Sequence, residues 1–567
     1  MSTRSIVVPD GFTLHVENTA SILLPQRTDA FINPIQEFNR DLSVACISVW
    51  AEEFNSARQQ KLAARQEKRA QQPRKKRRVD DGTAAPARED EPEDAGDVPG
   101  GSTSALAENL NKTQTTPPPK GAVLLEALSA TGLRSIRYGH EIPGLRYIIA
   151  NDLSPAATTA MRRNIEINGL GPHPDEPAPE NVDPEVHAKG KVRVSEADAV
   201  SLLYSLRTSK TVDCIDLDPY GTAAPFIDGA VQCVNDGGLL CVTCTDMAVL
   251  ATNNYPEKSF ANYGGIPAKA EYCHEAALRL VLHALTTSAA RYGRLIKPLL
   301  CLSIDFYVRV FVQVQNSPVE VKRAFSKTAM YYVCTGCQAY YEQPLGKIVE
   351  KVHETSGNVN LLYRTQTGPP SSTRCDHCGH SLHLAGPMWS GPLQDPTFID
   401  KVFDHTRNNQ DKFGTAPRML GMLTLAREEL PNPFYFTPSR VASNFQCISP
   451  PYESVASGLL NAGYNVSRSH AQPGSFKTDA PISAIHDIFR GWIKEHPVKM
   501  DKIKPGSPAA GLNAKEPQLV ADFTNHPKAK TSTSEVKIVR YQHNPAPNWG
   551  PGMRPGKKRR AEEAQDS

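Results

Sequence analysis

The chain has 567 residues, a formal net charge of only +3, and twelve cysteines. That length exceeds one compact core and predicts roughly two to four domains. No stretch approaches the roughly 20 apolar residues of a membrane span, and MSTRSIVVPDGF lacks the apolar region of a signal peptide. The cysteines are scattered except for two C-x-x-C pairs, which argues against a disulfide framework and for a metal in a reducing, intracellular compartment.

In chain order, residues 1–50 read as an ordered N-terminal segment that packs on a following core. Residues 51–119 read as a disordered insertion, basic from Arg58 to Arg78, then acidic through DDGTAAPAREDEPEDAGD, then rich in Ser, Thr and Pro. Within it, PRKKRRV (Pro73 to Val79) has the form of a nuclear localisation signal, and PGKKRR (Pro555 to Arg560) has the form of a second. The nucleus is therefore the expected compartment, with a mitochondrial pool left open.

From Gly121 the pattern becomes strand–helix–strand. AVLLEAL, RYIIAND, KVRVSEADA, TVDCIDLDPY and GGLLCVTCTD read as five strands, with helices after the first two, and KPLLCLSIDFYVRVFVQV has strand alternation over a length that allows it to bend or to pair with the segment before it. This predicts an α/β fold, a Rossmann-like doubly wound sheet over residues 120–330. Residues 331–385 hold the cysteine pairs, 386–500 a mixed α/β C-terminal domain, and 501–567 a loose, Pro-rich tail.

Three of these strands close on acids, Glu126, Asp152 and Asp198, at the edge where open α/β sheets bind ligands. A carboxylate at Asp152 suits ribose hydroxyls, and Asp198 with the amide of Ala199 suits an adenine edge. The turn after the first strand, Ala130-Thr131-Gly132, has one glycine where a pyrophosphate loop needs three. A nucleoside cofactor without phosphates, S-adenosylmethionine, fits that turn, with Arg134 or Arg40 as the cation for its carboxylate. The fourth strand ends at Asp218-Pro219-Tyr220-Gly221, where proline stops the ladder and an acid and an aromatic ring emerge together.

Asp218-Pro219-Tyr220 resembles the D-P-P-Y motif of methyltransferases that modify exocyclic amines of nucleobases, with the second proline missing. An aromatic amine is a poor nucleophile because its lone pair is delocalised. Asp218 and the Pro219 carbonyl accepting its N–H bonds push that lone pair outward, while Tyr220 stacks on the base. Asp216, two residues back, is a second carboxylate candidate. FINPIQEFNRDLSV, ATGLRSIRYGHE, DLDPYGTAAPF, CVTCTD, YGGIP and CHEAALRLVL, followed by FYFTPSR and SRSHAQPGSFKTDAP, resemble in order the landmarks of the tRNA guanine-26 N2-dimethyltransferase family. The resemblance covers residues 10–50 and 120–490, and departs from it at Phe31-Ile32-Asn33-Pro34, where the family usually has F-Y-N-P.

The resemblance implies methyl transfer from S-adenosylmethionine to the N2 amine of guanine 26 of tRNA. It implies Arg40, Arg134, Asp152, Asp198 and Ala199 at the cofactor, Asp218 as the catalytic acceptor, and tRNA held by the C-terminal domain, with His470 and Lys477 as contacts. No protein partner is implied. The rival readings are an amino-methyltransferase acting on ribosomal RNA or DNA, and a non-catalytic RNA-binding scaffold. Cys334, Cys337, Cys375 and Cys378 supply four thiolates, which suits a structural, tetrahedral Zn2+. The 37 residues between the pairs predict an inserted loop.

Overall fold

The computed structural model describes residues 6–26, 33–71, 121–179, 182–530 and 537–541. A hairpin of β1 (Phe12–Glu17) and β2 (Ala20–Pro25) leads into a 35-residue helix, α1 (Glu37–Gln71). The first half of α1 buries Phe38, Leu42, Ile47 and Trp50. Its second half projects outward and is built from strong helix formers, Ala, Gln, Lys, Arg and Glu. The insertion expected from residue 51 therefore does not begin there, because the helix continues to Gln71. PRKKRRV, the acidic stretch and PGKKRR lie outside the described residues.

The sheet follows as β3 (Ala122–Glu126), β4 (Leu145–Asp152), β5 (Val192–Glu196), β6 (Cys214–Leu217), β7 (Gly238–Cys244), β8 (Arg294–Ile304) and β9 (Tyr307–Asn316). Their order across the sheet is β5-β4-β3-β6-β7-β9-β8. The first five are parallel, and β9 runs antiparallel to both β7 and β8. β3, β6 and β7 are buried along their whole length, as a sheet covered on both faces demands. The long alternating segment, expected to bend or to pair with the segment before it, folds back on itself at Asp305-Phe306. Asp305 adopts a left-handed φ of 44°, and buried Arg418 holds its carboxylate at 2.8 Å.

One sheet face is covered by α1, α2 (Leu133–Glu141), α3 (Pro155–Ile167) and the helices Pro396–Asn408 and Ala416–Glu428. The last two were expected in a separate domain from residue 386, but their apolar stripes (Phe398, Val402, Met419, Leu423) share the core of the sheet. The other face is covered by the helices Ala199–Leu206, Ala224–Cys233 and Cys273–Ala290. A third core joins the four cysteines to Val441, Phe445, Leu459, Ile488 and Phe489. Leu512 and Ala529 are buried too, so the tail expected to be loose from residue 501 packs down as far as residue 530. Among the described residues, no helix is long and apolar enough to cross a membrane.

Candidate active site

From β3 the chain moves outward to β4 and β5, then crosses back to place β6 on the other side of β3. The carboxyl ends of β3 and β6 therefore form the switch point at which doubly wound sheets bind ligands. Asp218-Pro219-Tyr220 follows β6 at this point. Gly221 takes a left-handed φ of 91°, a conformation glycine adopts without steric cost. Its N–H donates to Thr245 Oγ1 at 2.7 Å while its carbonyl accepts from Thr245 N–H at 2.8 Å. That reciprocal clamp pins the turn to the end of β7. The Tyr220 ring stands 99% exposed, a large aromatic surface held on a fixed backbone with nothing covering it.

Beneath the turn lies a buried charge network. Asp216, fully buried, accepts from Arg309 at 2.7 Å and from the Tyr138 hydroxyl at 2.6 Å, with Arg134 at 3.5 Å. Burial opposes its ionisation, but Arg309 and Arg134 outweigh that and hold the carboxyl below its ordinary range. Asp216 is thus a buried anion whose two oxygens are taken up by Arg309 and Tyr138. Arg134, in the first turn of α2, ion-pairs with Asp218 and donates to Ser43 at 3.3 Å, with Glu126 at 3.8 Å. Burial pushes the Glu126 carboxyl up to about 7, against the opposing pull of Arg134. The Ser43 hydroxyl also accepts from Arg309 at 2.7 Å, so α1 closes the network from the other side.

Sequence reasoning missed Arg309, Ser43, Tyr138 and Thr245. Arg309 carried a usable signal, since an arginine inside the run YVRVFV is fully buried only if an acid is waiting for it. Ser43, Tyr138 and Thr245 carried none.

Along the same edge, Asp152 caps two turns, its Oδ2 accepting from Ala130 N–H and its Oδ1 from Ser154 N–H, each at 2.9 Å. This draws the Ala130-Thr131-Gly132 turn over the end of β4. Asp198 lies two residues past the end of β5 and caps the helix Ala199–Leu206, accepting from Ser201 N–H at 2.8 Å. That N–H holds its carboxyl below the usual value. Ala199 is buried at the head of the helix. This donor set fits S-adenosylmethionine, with a guanidinium at Arg134 for a carboxylate and acids at Asp152 and Asp198 for ribose and adenine.

Three expected ligand residues are engaged elsewhere. Arg40 is 7% exposed, and both its Nε and a terminal nitrogen are committed to Glu17, locking the β1–β2 hairpin onto α1. His470 is buried between Glu429, to which Nδ1–H donates at 2.7 Å, and Ser303 N–H, from which Nε2 accepts at 3.1 Å. Lys477 is 1% exposed and pairs with Glu275 at 3.2 Å and Glu429 at 3.7 Å. These two residues bolt the C-terminal segment to the sheet domain and offer no surface to RNA.

The two cysteine pairs meet. Cys334 ends β10 (Thr328–Cys334), which pairs with β11 (Tyr340–Pro344) and β14 (Leu382–Trp389). The spacer between the pairs is a hairpin of β12 (Gly346–Val352) and β13 (Val359–Thr365). The sulfurs of Cys334, Cys337, Cys375 and Cys378 lie within 4.8 Å of one another, all four residues buried. The edges of 3.3 Å and 3.6 Å are close to the ~3.8 Å expected between thiolates around a tetrahedral ion with ~2.3 Å bonds. Gly336 N–H and Cys337 N–H both point at Cys334 Sγ, at 3.3 and 3.4 Å, as a thiolate requires.

A doubly wound sheet closed by an antiparallel hairpin, with its acids and one exposed ring on the switch-point edge, is the architecture of a class I methyltransferase. A family model described as N2,N2-dimethylguanosine tRNA methyltransferase matches residues 11–490. The tRNA (guanine(26)-N(2))-dimethyltransferase of Schizosaccharomyces pombe is 42% identical over 552 residues, covering 96% of this chain and 93% of that protein. The Homo sapiens protein of the same name is 40% identical over 560 residues, covering 98% and 79%. A Saccharomyces cerevisiae relative, whose name adds "mitochondrial", is 40% identical over 567 residues, covering 96% and 93%. In fold, the chain is similar to Trm1 from Pyrococcus horikoshii, solved in complex with S-adenosyl-L-methionine, at a TM-score of 0.58 and 21% identity, covering 84% of this chain and 99% of that one. The chain belongs to the N2,N2-dimethylguanosine tRNA methyltransferase family.

Proposed function

We propose that this chain transfers methyl groups from S-adenosylmethionine to the exocyclic N2 amine of guanine 26 in tRNA, giving N2-methyl- and N2,N2-dimethylguanosine. The observation that carries the reading is the clamped Asp218-Pro219-Tyr220 turn, which presents a carboxylate and a bare aromatic ring together at the switch point. Relatives about 40% identical over nearly the whole chain bear the name of that activity.

S-adenosylmethionine, when bound, supplies an electrophilic methyl group on a sulfonium. Arg134 and Arg40, both buried and ion-paired in the free chain, are the proposed cations for its carboxylate. Asp152 receives the ribose hydroxyls, and Asp198 with Ala199 the adenine. Tyr220 stacks on guanine drawn out of the tRNA, repaying part of an unstacking cost of a few kcal/mol. The Asp218 carboxylate and the Pro219 carbonyl accept the two N–H bonds of the amine and turn its lone pair toward the incoming methyl. As the nitrogen gains its fourth bond, Asp218 takes the proton it sheds. A second round needs only the one remaining N–H, which Asp218 accepts.

The four-cysteine site is read as a structural Zn2+ site, since four protein thiolates leave no open position for catalysis. The C-terminal helical region is the proposed tRNA-holding part. PRKKRRV supports nuclear import, and the mitochondrial S. cerevisiae relative supports a pool there as well.

A tRNA transcript carrying inosine at position 26 tests the reading, because inosine is guanosine without the N2 amine. Labelled methyl groups should enter the guanine-26 transcript and not its inosine counterpart. Equal labelling of both would move the reaction to another atom.

A further inference from the structure

At the opposite edge of the sheet, some 20 Å from Asp218 along β7, an open cleft of about 980 Å³ lies between the outer half of α1 and the amino ends of β6 and β7. Its walls carry Arg58, Lys61, Arg65, Arg207, Lys210 and Arg294. Against these six cations stand three acids: Asp213, buried and facing Arg58 at 3.5 Å, Glu53, paired with Lys401 from outside the cleft, and Asp236, which accepts from Asn316 N–H at 2.8 Å, so the lining keeps an excess of positive charge. Arg58, Lys61, Arg65 and the exposed Lys68 recur at three- and four-residue steps, so they form one stripe along about 15 Å of helix. Arg294, 7% exposed on the cleft wall, donates to the Val231 carbonyl and adds its positive charge from beneath the surface.

We infer that this cleft is a second nucleic-acid contact, which takes phosphates of the tRNA backbone remote from the guanine being modified. The chemistry favours a polyanion over a small ligand. The cations are strung along a helix rather than gathered round a point, and the cleft is open. A lone anion would meet only one or two of them, whereas a phosphodiester strand meets the series. Such a contact carries no base specificity; it sets affinity and the register of the tRNA on the enzyme. It also gives the outward half of α1 a purpose that packing does not supply. The inference rests on tRNA being the substrate.

The test is the full chain with Lys61→Gln, Arg65→Gln and Lys210→Gln together. All three are exposed, so the fold is left intact, and unchanged affinity for S-adenosylmethionine confirms it. The Kd for unmodified tRNA should rise on the order of tenfold at physiological salt, and the slope of log Kd against log salt should flatten by about two to three. Lys61→Arg with Lys210→Arg should leave both values as in the native chain. Unchanged affinity and slope in the triple variant would overturn the inference while native binding and methylation stand, and would leave the cleft to an acidic polypeptide. Failure of the native chain to bind tRNA at all would sink the substrate reading and this inference together.

Discussion

The guanidinium of Arg134 rests on the carboxylate of Asp218, so a proposed partner of the cofactor's carboxylate and the proposed acceptor of the guanine amine are one ion pair. In the free enzyme each neutralises the other. A carboxylate arriving with the cofactor competes for the same guanidinium, which frees Asp218 oxygens for the amine. Arg134 also faces Asp216 and Glu126, so its loss leaves Asp216 with Arg309 alone and takes from Asp218 and Glu126 the guanidinium that faces them.

Arg134→Ala should therefore cost both binding and stability. Removing one partner from a buried pair typically costs about 3–5 kcal/mol, and calorimetric titration should show S-adenosylmethionine affinity lost. Arg134→Lys keeps the charge but not the fork that spans Asp218, Ser43 and Glu126. It should fold better than the alanine variant and still bind the cofactor weakly. Undiminished affinity in both variants would remove Arg134 from the cofactor site.

Glu126 sets a pH dependence of stability. Its folded pKa of about 7 lies above the value of 4.5 expected when unfolded, so between these values the folded state binds more protons. Its contribution is complete below about pH 4.5 and is lost as pH rises toward 7. The window corresponds to something on the order of 3 kcal/mol. Glu126→Gln should flatten the decline between pH 5 and pH 8 in denaturant titrations; parallel curves for the two proteins would assign the proton to another group.

The third core hangs on the cysteine cluster. Purified protein should carry one equivalent of zinc per chain by elemental analysis. Chelation, or Cys375→Ser, should lower the melting transition of the part that holds Phe445, Leu459 and Ile488. A protein free of zinc with an unchanged transition would show that four thiols pack there without a metal.

Lys477→Met should act through stability rather than through RNA. It leaves Glu275 and Glu429 buried with one cation fewer, at a cost of about 3–5 kcal/mol. The tRNA affinity of the folded fraction should stay within about twofold of native. A large fall in affinity with native stability would restore Lys477 as a contact.

The five parallel strands were legible because each is a short apolar run stopped by an acid, a glycine or a proline, and those stops are also the site. Asp152, Asp198 and Asp218 could be placed at the carboxyl edge of the sheet for that reason. A bend in this segment was legible from its length, but its place at Asp305-Phe306 was not, because the alternation is the same on both sides of the turn and Arg418, which holds Asp305, comes from 113 residues away. The helices Pro396–Asn408 and Ala416–Glu428 were placed in a separate domain because an apolar stripe in a sequence does not say which core it faces. Composition misread residues 501–530, where a few buried side chains such as Leu512 anchor a polar, Pro-rich segment. His470 and Lys477 were expected at RNA from the resemblance alone, and a motif match does not reveal that a side chain is buried against a partner.

The most direct test of the account is nucleoside mass spectrometry of tRNA transcript incubated with S-adenosylmethionine and either the native chain or Asp218→Ala, with cofactor binding measured alongside. The account predicts N2-methyl- and N2,N2-dimethylguanosine from the native chain, and neither from Asp218→Ala although that variant still binds S-adenosylmethionine. Dimethylguanosine formed by Asp218→Ala at the native rate would contradict it, and would take the acceptor role away from the turn after β6.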